Sequence, residues 1–473
     1  RADAMGGVVQ IFTKQGEGAP HASVMVGYGA YDTRTVDASV AGVGTGDNKI
    51  HYALNAARDE SNGFPATTPS APFGVYKPGN DGYDKDSVSG QLSMDVAAGH
   101  VLGLSFLQSR NSAQFDDGPG YDDHDIENLH STTLYSRDRL SSGWTSLLQV
   151  AQSEDKFWST NGPNWLAYGE TPNNTFDTTQ THFSWQNDFA LGDNSLQLIA
   201  ERREEKVDTD AGVSGERNTN SIAALYQWKS GNQLAAVSVR DDDSRQYGSQ
   251  TTGNLAYGYH LTNALRVNAS LGSSFRAPTF NELYYPYYGN SLLNPEKGKN
   301  AEAGLYYDDG KSRASVVYYR NRITDLIEYD SSCMCAINVD KAVLSGLSLG
   351  GSTRLGSFAL HGSLDIQDPR DETTDTLLPR RARQHGSIGV DYRGGKVQAG
   401  VDSVFSGKRY DDPANTVVLG GYGLLNLHAS IELGAEWTLL ARWNNLLNKD
   451  YELAYGYTTP GSNLFVGLRY GYK

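Results

Sequence analysis

The chain has 473 residues, a formal net charge of −15 and a mean hydropathy of −0.51. No apolar run approaches the roughly 18 residues that a membrane-crossing helix needs, and the acidic balance argues against a nucleic-acid partner, which requires a basic face. Its 29 Tyr, 14 Phe and 7 Trp exclude a disordered chain, and together with 52 Gly they favour β-structure.

The first segment stands apart. Asp3-Ala4-Met5-Gly6-Gly7-Val8-Val9-Gln10-Ile11-Phe12-Thr13-Lys14 is a Gly pair followed by a strand-like run, and it ends in the break Gly16-Glu17-Gly18-Ala19-Pro20. The chain opens without a start methionine, so a preceding segment is expected. Residues 1–19 read as the end of another domain with its linker, and residues 20–473 as the main body.

From there the signal is alternation with period two. Leu425 to Leu433 carries apolar residues at every odd position and Asn426, His428, Ser430 and Glu432 between them. Leu265 to Leu271 and Phe358 to Ile366 repeat the pattern. About 22 such segments follow one another at roughly 20-residue spacing, from 22–30 and 34–41 to 437–444 and 462–472. The connections alternate in length. Ala98-Gly99-His100, Gly192-Asp193-Asn194 and Ser230-Gly231-Asn232 are short, whereas 59–90, 111–131, 154–180, 276–299 and 325–346 are long. Short turns on one rim and long loops on the other predict an all-β, 22-stranded antiparallel transmembrane β-barrel with short periplasmic turns and long extracellular loops. Trp437, Trp443, Tyr470 and Tyr472, at strand ends, are expected in the interfacial aromatic girdles. A wall with lipid outside and water inside explains the negative hydropathy.

Several loop constellations could carry function. Asp116, Asp117, Asp122, Asp123, Asp125 and Glu127 crowd one loop around Gly118-Pro119-Gly120. Asp123, Asp125 and Glu127 alternate, so an extended backbone puts them on one side. Such carboxylates repel unless a hard cation neutralises them, and Ca²⁺ takes six to eight oxygens; a solvated acidic loop is the alternative. Tyr284, Tyr285, Tyr287 and Tyr288 around Pro286 offer flat amphipathic area to a large ligand, or pack among themselves. In Pro379-Arg380-Arg381-Ala382-Arg383, an extended backbone points Arg380 and Ala382 one way and Arg381 and Arg383 the other. One pair then meets an anionic ligand or salt-bridges to the wall. Cys333-Met334-Cys335 reads as a strained vicinal-type disulfide or two thiols, with no functional role in either form. The ten His are scattered, and no nucleophile elbow, H-E-x-x-H or phosphate loop occurs.

The whole length resembles the barrel part of TonB-dependent outer-membrane receptors. The start at Asp3 to Ile11 resembles the closing strand of the family's plug domain. Ser274-Phe275-Arg276-Ala277-Pro278 with Leu293-Asn294-Pro295-Glu296-Lys297 resembles its paired boxes. Trp443 to Tyr451 and Phe465 to Tyr472 resemble its C-terminal signature. Within the family, Tyr318 to Ile327, Leu378 to Gln384 and Asp450 to Tyr457 are most similar to cobalamin transporters.

That resemblance implies a non-enzymatic transporter of the Gram-negative outer membrane, a monomer contacting lipid and lipopolysaccharide. It implies cobalamin or a related corrinoid as cargo, and TonB as partner through an N-terminal segment outside this chain. It also implies calcium in the extracellular loops, held by Asp116, Asp123, Asp125 and Glu127 with Asp177 from the next loop, and corrinoid contacts at Thr252, Arg380 and Arg409. Where the family has a Tyr-Asp pair early in that next loop, this chain has Trp158-Ser159. Haem receptors carry a His between the paired boxes, and residues 279–293 contain none. A siderophore receptor, a passive pore lacking a plug and a barrel enzyme with a rim Asp and His are the competing expectations.

Overall fold

The computed structural model describes residue 5 and residues 15–44, 46, 49–118, 123–160, 173–210, 212–285, 288–330 and 333–471. These residues build one closed sheet of 22 antiparallel strands, each paired with its neighbours in the chain. The sheet closes where His21–Gly29 pairs with Asn463–Gly471, from Ser23 opposite Gly471 to Gly29 opposite Phe465. Glycine is required at this seam. Phe465 turns inward, and a Cβ on Gly27 would lie 2.2 Å from its ring. The guanidinium of Arg442 covers the same ring at 4.6 Å.

Each expected segment falls on a strand, overrunning it by at most one residue at an end, and the main difference is length at the extracellular ends. The segment expected at 91–97 is the end of Asp81–Ala97, 181–189 lies inside Asn173–Leu191, and 347–354 ends the strand Cys335–Leu355. The physical reason is the missing lipid. Above the membrane neither face of the sheet must be apolar, so the ladder continues through residues with no alternating pattern.

Within the membrane band the two faces are distinct. Val24, Val26, Leu134, Leu148, Trp185, Leu255, Leu271 and Val316 stand exposed on the outside. Trp437 and Tyr470 pack their rings at 4.8 Å near the periplasmic rim, and Trp443 stands exposed at the other end of its strand. Tyr472, expected beside them, lies outside the described residues, as do residues 1–4 and 6–14 of the expected plug strand. Met5 is described, and its carbonyl accepts from Asn321 at 3.3 Å.

Candidate ligand site at the extracellular mouth

Two packed caps stand above the wall. The first grows from the end of Leu265–Arg276. Arg276 donates to Glu296 at 2.7 and 2.9 Å and to Glu282 at 3.0 and 3.0 Å, so one guanidinium ties three chain segments together. Thr279 caps the short helix Phe280–Tyr284 in a reciprocal pair with Glu282. Burial opposes ionisation of Glu282, but Arg276 and the Thr279 backbone N–H outweigh it and hold the carboxyl below its usual range. Phe280 packs on Val207 and Val213, with the Arg217 guanidinium 5.1 Å from its ring. Leu283, Leu293, Ile327 and Ala336 form a second small core. The paired boxes therefore act as a structural latch, a role that spacing alone did not reveal.

This packing divides the tyrosine cluster. Tyr288 packs against the small core and stacks near Tyr329 at 6.2 Å, whereas Tyr284 and Tyr285 are exposed. Tyr287 lies outside the described residues. Cys333 and Cys335 are disulfide-bonded with Cα atoms 5.2 Å apart, inside the ordinary range. The expectation of awkward placement is corrected by Met334, whose left-handed φ of 54° curls the backbone enough to bring the two residues to that distance.

The second cap brings Arg380 and Arg409 into one loop cluster. Arg380 forks onto Asp411 at 2.7 and 3.3 Å, and its backbone N–H donates to the Tyr410 carbonyl at 2.7 Å. Its φ is 57°, within a turn, so the expected in-and-out alternation across 380–383 is not present. Arg409 belongs to the hairpin of Arg409–Tyr410 and Val418–Leu419. It is 5% exposed, lies 5.5 Å from the Tyr422 ring, donates to the Glu452 carbonyl and keeps Nη1 buried without a partner. Thr252 is not part of this cluster. It faces the lumen opposite Arg240, which is committed to Glu201 and Asp242.

The acidic residues also separate. Asp116 accepts from Thr67, and buried Asp123 accepts from the Asp117 N–H at 3.2 Å. Register puts Asp125, Glu127 and Asp155 on the lumen face, opposite in parity to exposed Leu134 and Leu148. Asp177 shares the outward parity of Phe183 and Trp185 and sits beside Lys156 and Asp208. The structure thus does not place Asp177 in the row of Asp125 and Glu127.

One oxygen each of Asp125 and Asp155 is buried and unpaired, which suits a cation. Asp155 pairs with Leu129, four residues from Asp125 along the wall. That is about 13 Å, too far for direct ligation of one ion at roughly 2.5 Å per bond. Among the described residues no three His, Cys, Asp or Glu side chains converge as a metal site. The lumen ring of His361, Asp391, Asp402 and His428 does not either. There each imidazole nitrogen meets a carboxylate oxygen at 3.0 to 3.5 Å.

The family model for the β-barrel of TonB-dependent receptors matches residues 26–446. The chain belongs to the TonB-dependent receptor family. It is a receptor of the Gram-negative outer membrane, in a family of transporters rather than enzymes. It is 28% identical to the vitamin B12 transporter BtuB of Photobacterium profundum, over 99% of this chain and 77% of that protein. Among solved structures, a mutant ferric enterobactin receptor PfeA from Pseudomonas aeruginosa in complex with enterobactin superposes with a TM-score of 0.82 at 18% identity. That match covers 100% of this chain and 84% of the other. The siderophore receptor PirA from Acinetobacter baumannii gives 0.81 at 15% identity, over 100% and 83%. At such identities the structural likeness speaks for the fold alone.

Proposed function

We propose that this receptor imports cobalamin or a related corrinoid, captured at the mouth between the two caps. The observation that carries the reading is sequence likeness. Identity to the vitamin B12 transporter is 28% along nearly the whole chain, against 18% and 15% for the two siderophore receptors. Arg380, Tyr284 and Tyr285 are exposed at the mouth and supply a cation and flat aromatic area for a large polar ligand. Arg409 contributes by bracing its cap, with Nη1 left to donate. Thr252 offers a hydroxyl lower on the wall.

Calcium would act here by neutralising the crowded lumen-side carboxylates, with Asp123, Asp125 and Glu127 as the residues holding it and Asp116 at the edge. The unpaired oxygen of Asp125 supports that reading, and the outward parity of Asp177 weighs against a part for it. Residues 1–19 are proposed as the end of a plug domain that joins the barrel to TonB coupling. The hydrogen bond from Asn321, on the lumen face, to the Met5 carbonyl supports a place for Met5 inside the barrel.

The test is cyanocobalamin binding to the purified receptor in detergent, with calcium and then with a chelator. Saturable binding weakened by the chelator is expected. Absence of binding in both conditions, with a ferric siderophore bound instead, overturns the corrinoid assignment and leaves the barrel intact.

A further inference from the structure

The loop 65–80, between the extracellular ends of Ile50–Phe64 and Asp81–Ala97, is tied down on two sides. Thr67 pairs with Tyr457, although two strands, His21–Gly29 and Thr33–Val43, stand between their loops. The Thr68 N–H donates to the Gly456 carbonyl at 2.9 Å, and the Thr458 N–H to the Ala66 carbonyl at 2.9 Å. The Thr458 hydroxyl donates to the Pro65 carbonyl. Ala71 is buried in the same contact. Its N–H donates to the Thr68 carbonyl at 2.9 Å, and a Cβ on Gly456 would collide with its backbone. On the other side the Thr67 hydroxyl donates to Asp116, and Asp81 accepts from the Ala66 N–H at 2.8 Å. The tie continues into the second cap, because the Tyr455 N–H donates at 3.3 Å to Asp411, the carboxylate that Arg380 grips.

Pro72-Phe73-Gly74 follows directly on this anchor. Phe73 is 99% exposed, the highest value of any large apolar side chain among the described residues. Its backbone is left-handed, with φ 62° and ψ 9°, and Gly74 follows with φ 71°. That conformation suits Gly74, but it crowds the Cβ of Phe73 against the following carbonyl oxygen. The turn therefore carries two unfavourable terms, a strained backbone and an aromatic ring in water. At 99% exposure no packing within the protein offsets either of them. The anchored flanks nevertheless hold the ring in place. Strain kept in this way by a well-determined framework is characteristic of ligand clamps.

We propose that Phe73 is a specificity-determining contact for the cargo, laying its ring on an apolar face of the ligand while Arg380 supplies a polar contact from the same body of loops. For the identity of the ligand this inference rests on the corrinoid reading above. A corrinoid is a broad macrocycle fringed with amides, so it offers a flat face to the ring and acceptors to the guanidinium. The ring selects against a cargo whose surface is polar throughout.

The experiment is cyanocobalamin titration of the whole receptor in detergent, with hydrogen exchange read on the same samples. Phe73→Asn removes the ring but keeps a residue that accepts the left-handed turn. It is expected to weaken binding about tenfold. Exchange of the Thr68 and Ala71 amides should stay equal or slow, because strain is relieved. Phe73→Tyr, which keeps the ring, should retain the affinity. Unchanged affinity in Phe73→Asn overturns the proposal. So does a loss of affinity with faster exchange at those two amides, since the ring would then be a structural part of the turn. If the wild type binds ferric enterobactin and not cyanocobalamin, the corrinoid reading fails by itself, and Phe73→Asn is titrated with ferric enterobactin. A loss of about tenfold there upholds Phe73 as a cargo contact, and an unchanged affinity overturns it.

Discussion

Arg276 and Glu296 stand opposite one another at the tops of adjacent strands, joined by two hydrogen bonds of 2.7 and 2.9 Å. Glu296 also accepts from the backbone N–H of Ile327 at 2.9 Å, so the pair fixes the entry to two loops at once. Removing Arg276 takes the guanidinium from the buried Glu296 carboxylate and leaves it the Ile327 N–H.

Arg276→Ala is therefore expected to loosen the first cap by about 3 kcal/mol and leave the wall intact. Hydrogen exchange should rise roughly 100-fold at the helix Phe280–Tyr284 and around Ile327. Exchange within Leu265–Arg276 below the cap should not change. A uniform rise across the wall strands would refute the latch.

The same cap should respond to acid. The Glu282 carboxyl is held below its ordinary value of 4.5, burial opposing ionisation but Arg276 and the Thr279 backbone N–H outweighing it. A depressed carboxyl stabilises fully above the unfolded value and loses that contribution as pH falls from about 4.5 through the folded value. Exchange in the cap, corrected for its intrinsic pH dependence, should be constant from pH 7 to 5 and increase below. Glu282→Gln should abolish the step.

Asp155 lies above the membrane band, and its carboxyl is shifted the other way, raised by burial and then by Asp177. A raised carboxyl destabilises at neutral pH, and the penalty fades in acid. Asp155→Asn should raise the thermal midpoint in chelator, while the wild-type midpoint should rise on adding calcium. A calcium effect as large in Asp125→Asn as in the wild type would argue against a cation at that carboxylate.

The two mouth arginines should separate stability from binding. The Arg380–Asp411 pair is open to water on the arginine side, 56% exposed, so Arg380→Gln should shift stability by only about 0.5 kcal/mol. It should weaken cyanocobalamin binding about tenfold, the value of one charge-assisted contact. Arg409→Ala removes a buried brace and should destabilise its cap by about 3 kcal/mol. If Arg380→Gln melts early with affinity intact, the assignment of roles is reversed.

The strand count, the antiparallel order and the inside–outside parity were legible because lipid enforces an apolar row at every second residue. Leu425 to Leu433 states that rule in one line, and the turn residues between short hairpins state the register. Arg276 was singled out within a motif, yet its forked bond to Glu282 and Glu296 requires a loop to fold back over the strand end. Asp177 joined the acidic cluster through the family resemblance, and only the pairing of Asn173–Leu191 with Trp144–Thr160 set it on the outward face. Arg409 read as a ligand contact, and a hairpin with no periodic signal buried it.

The sequence by itself thus determined the wall, because each strand answers to the same two solvents wherever it sits in the chain. Tertiary structure alone decided the mouth. Arg276, Glu282 and Glu296 come from a strand end, a short helix and the next strand, and their shared guanidinium contact does not exist until the loop folds back over the wall.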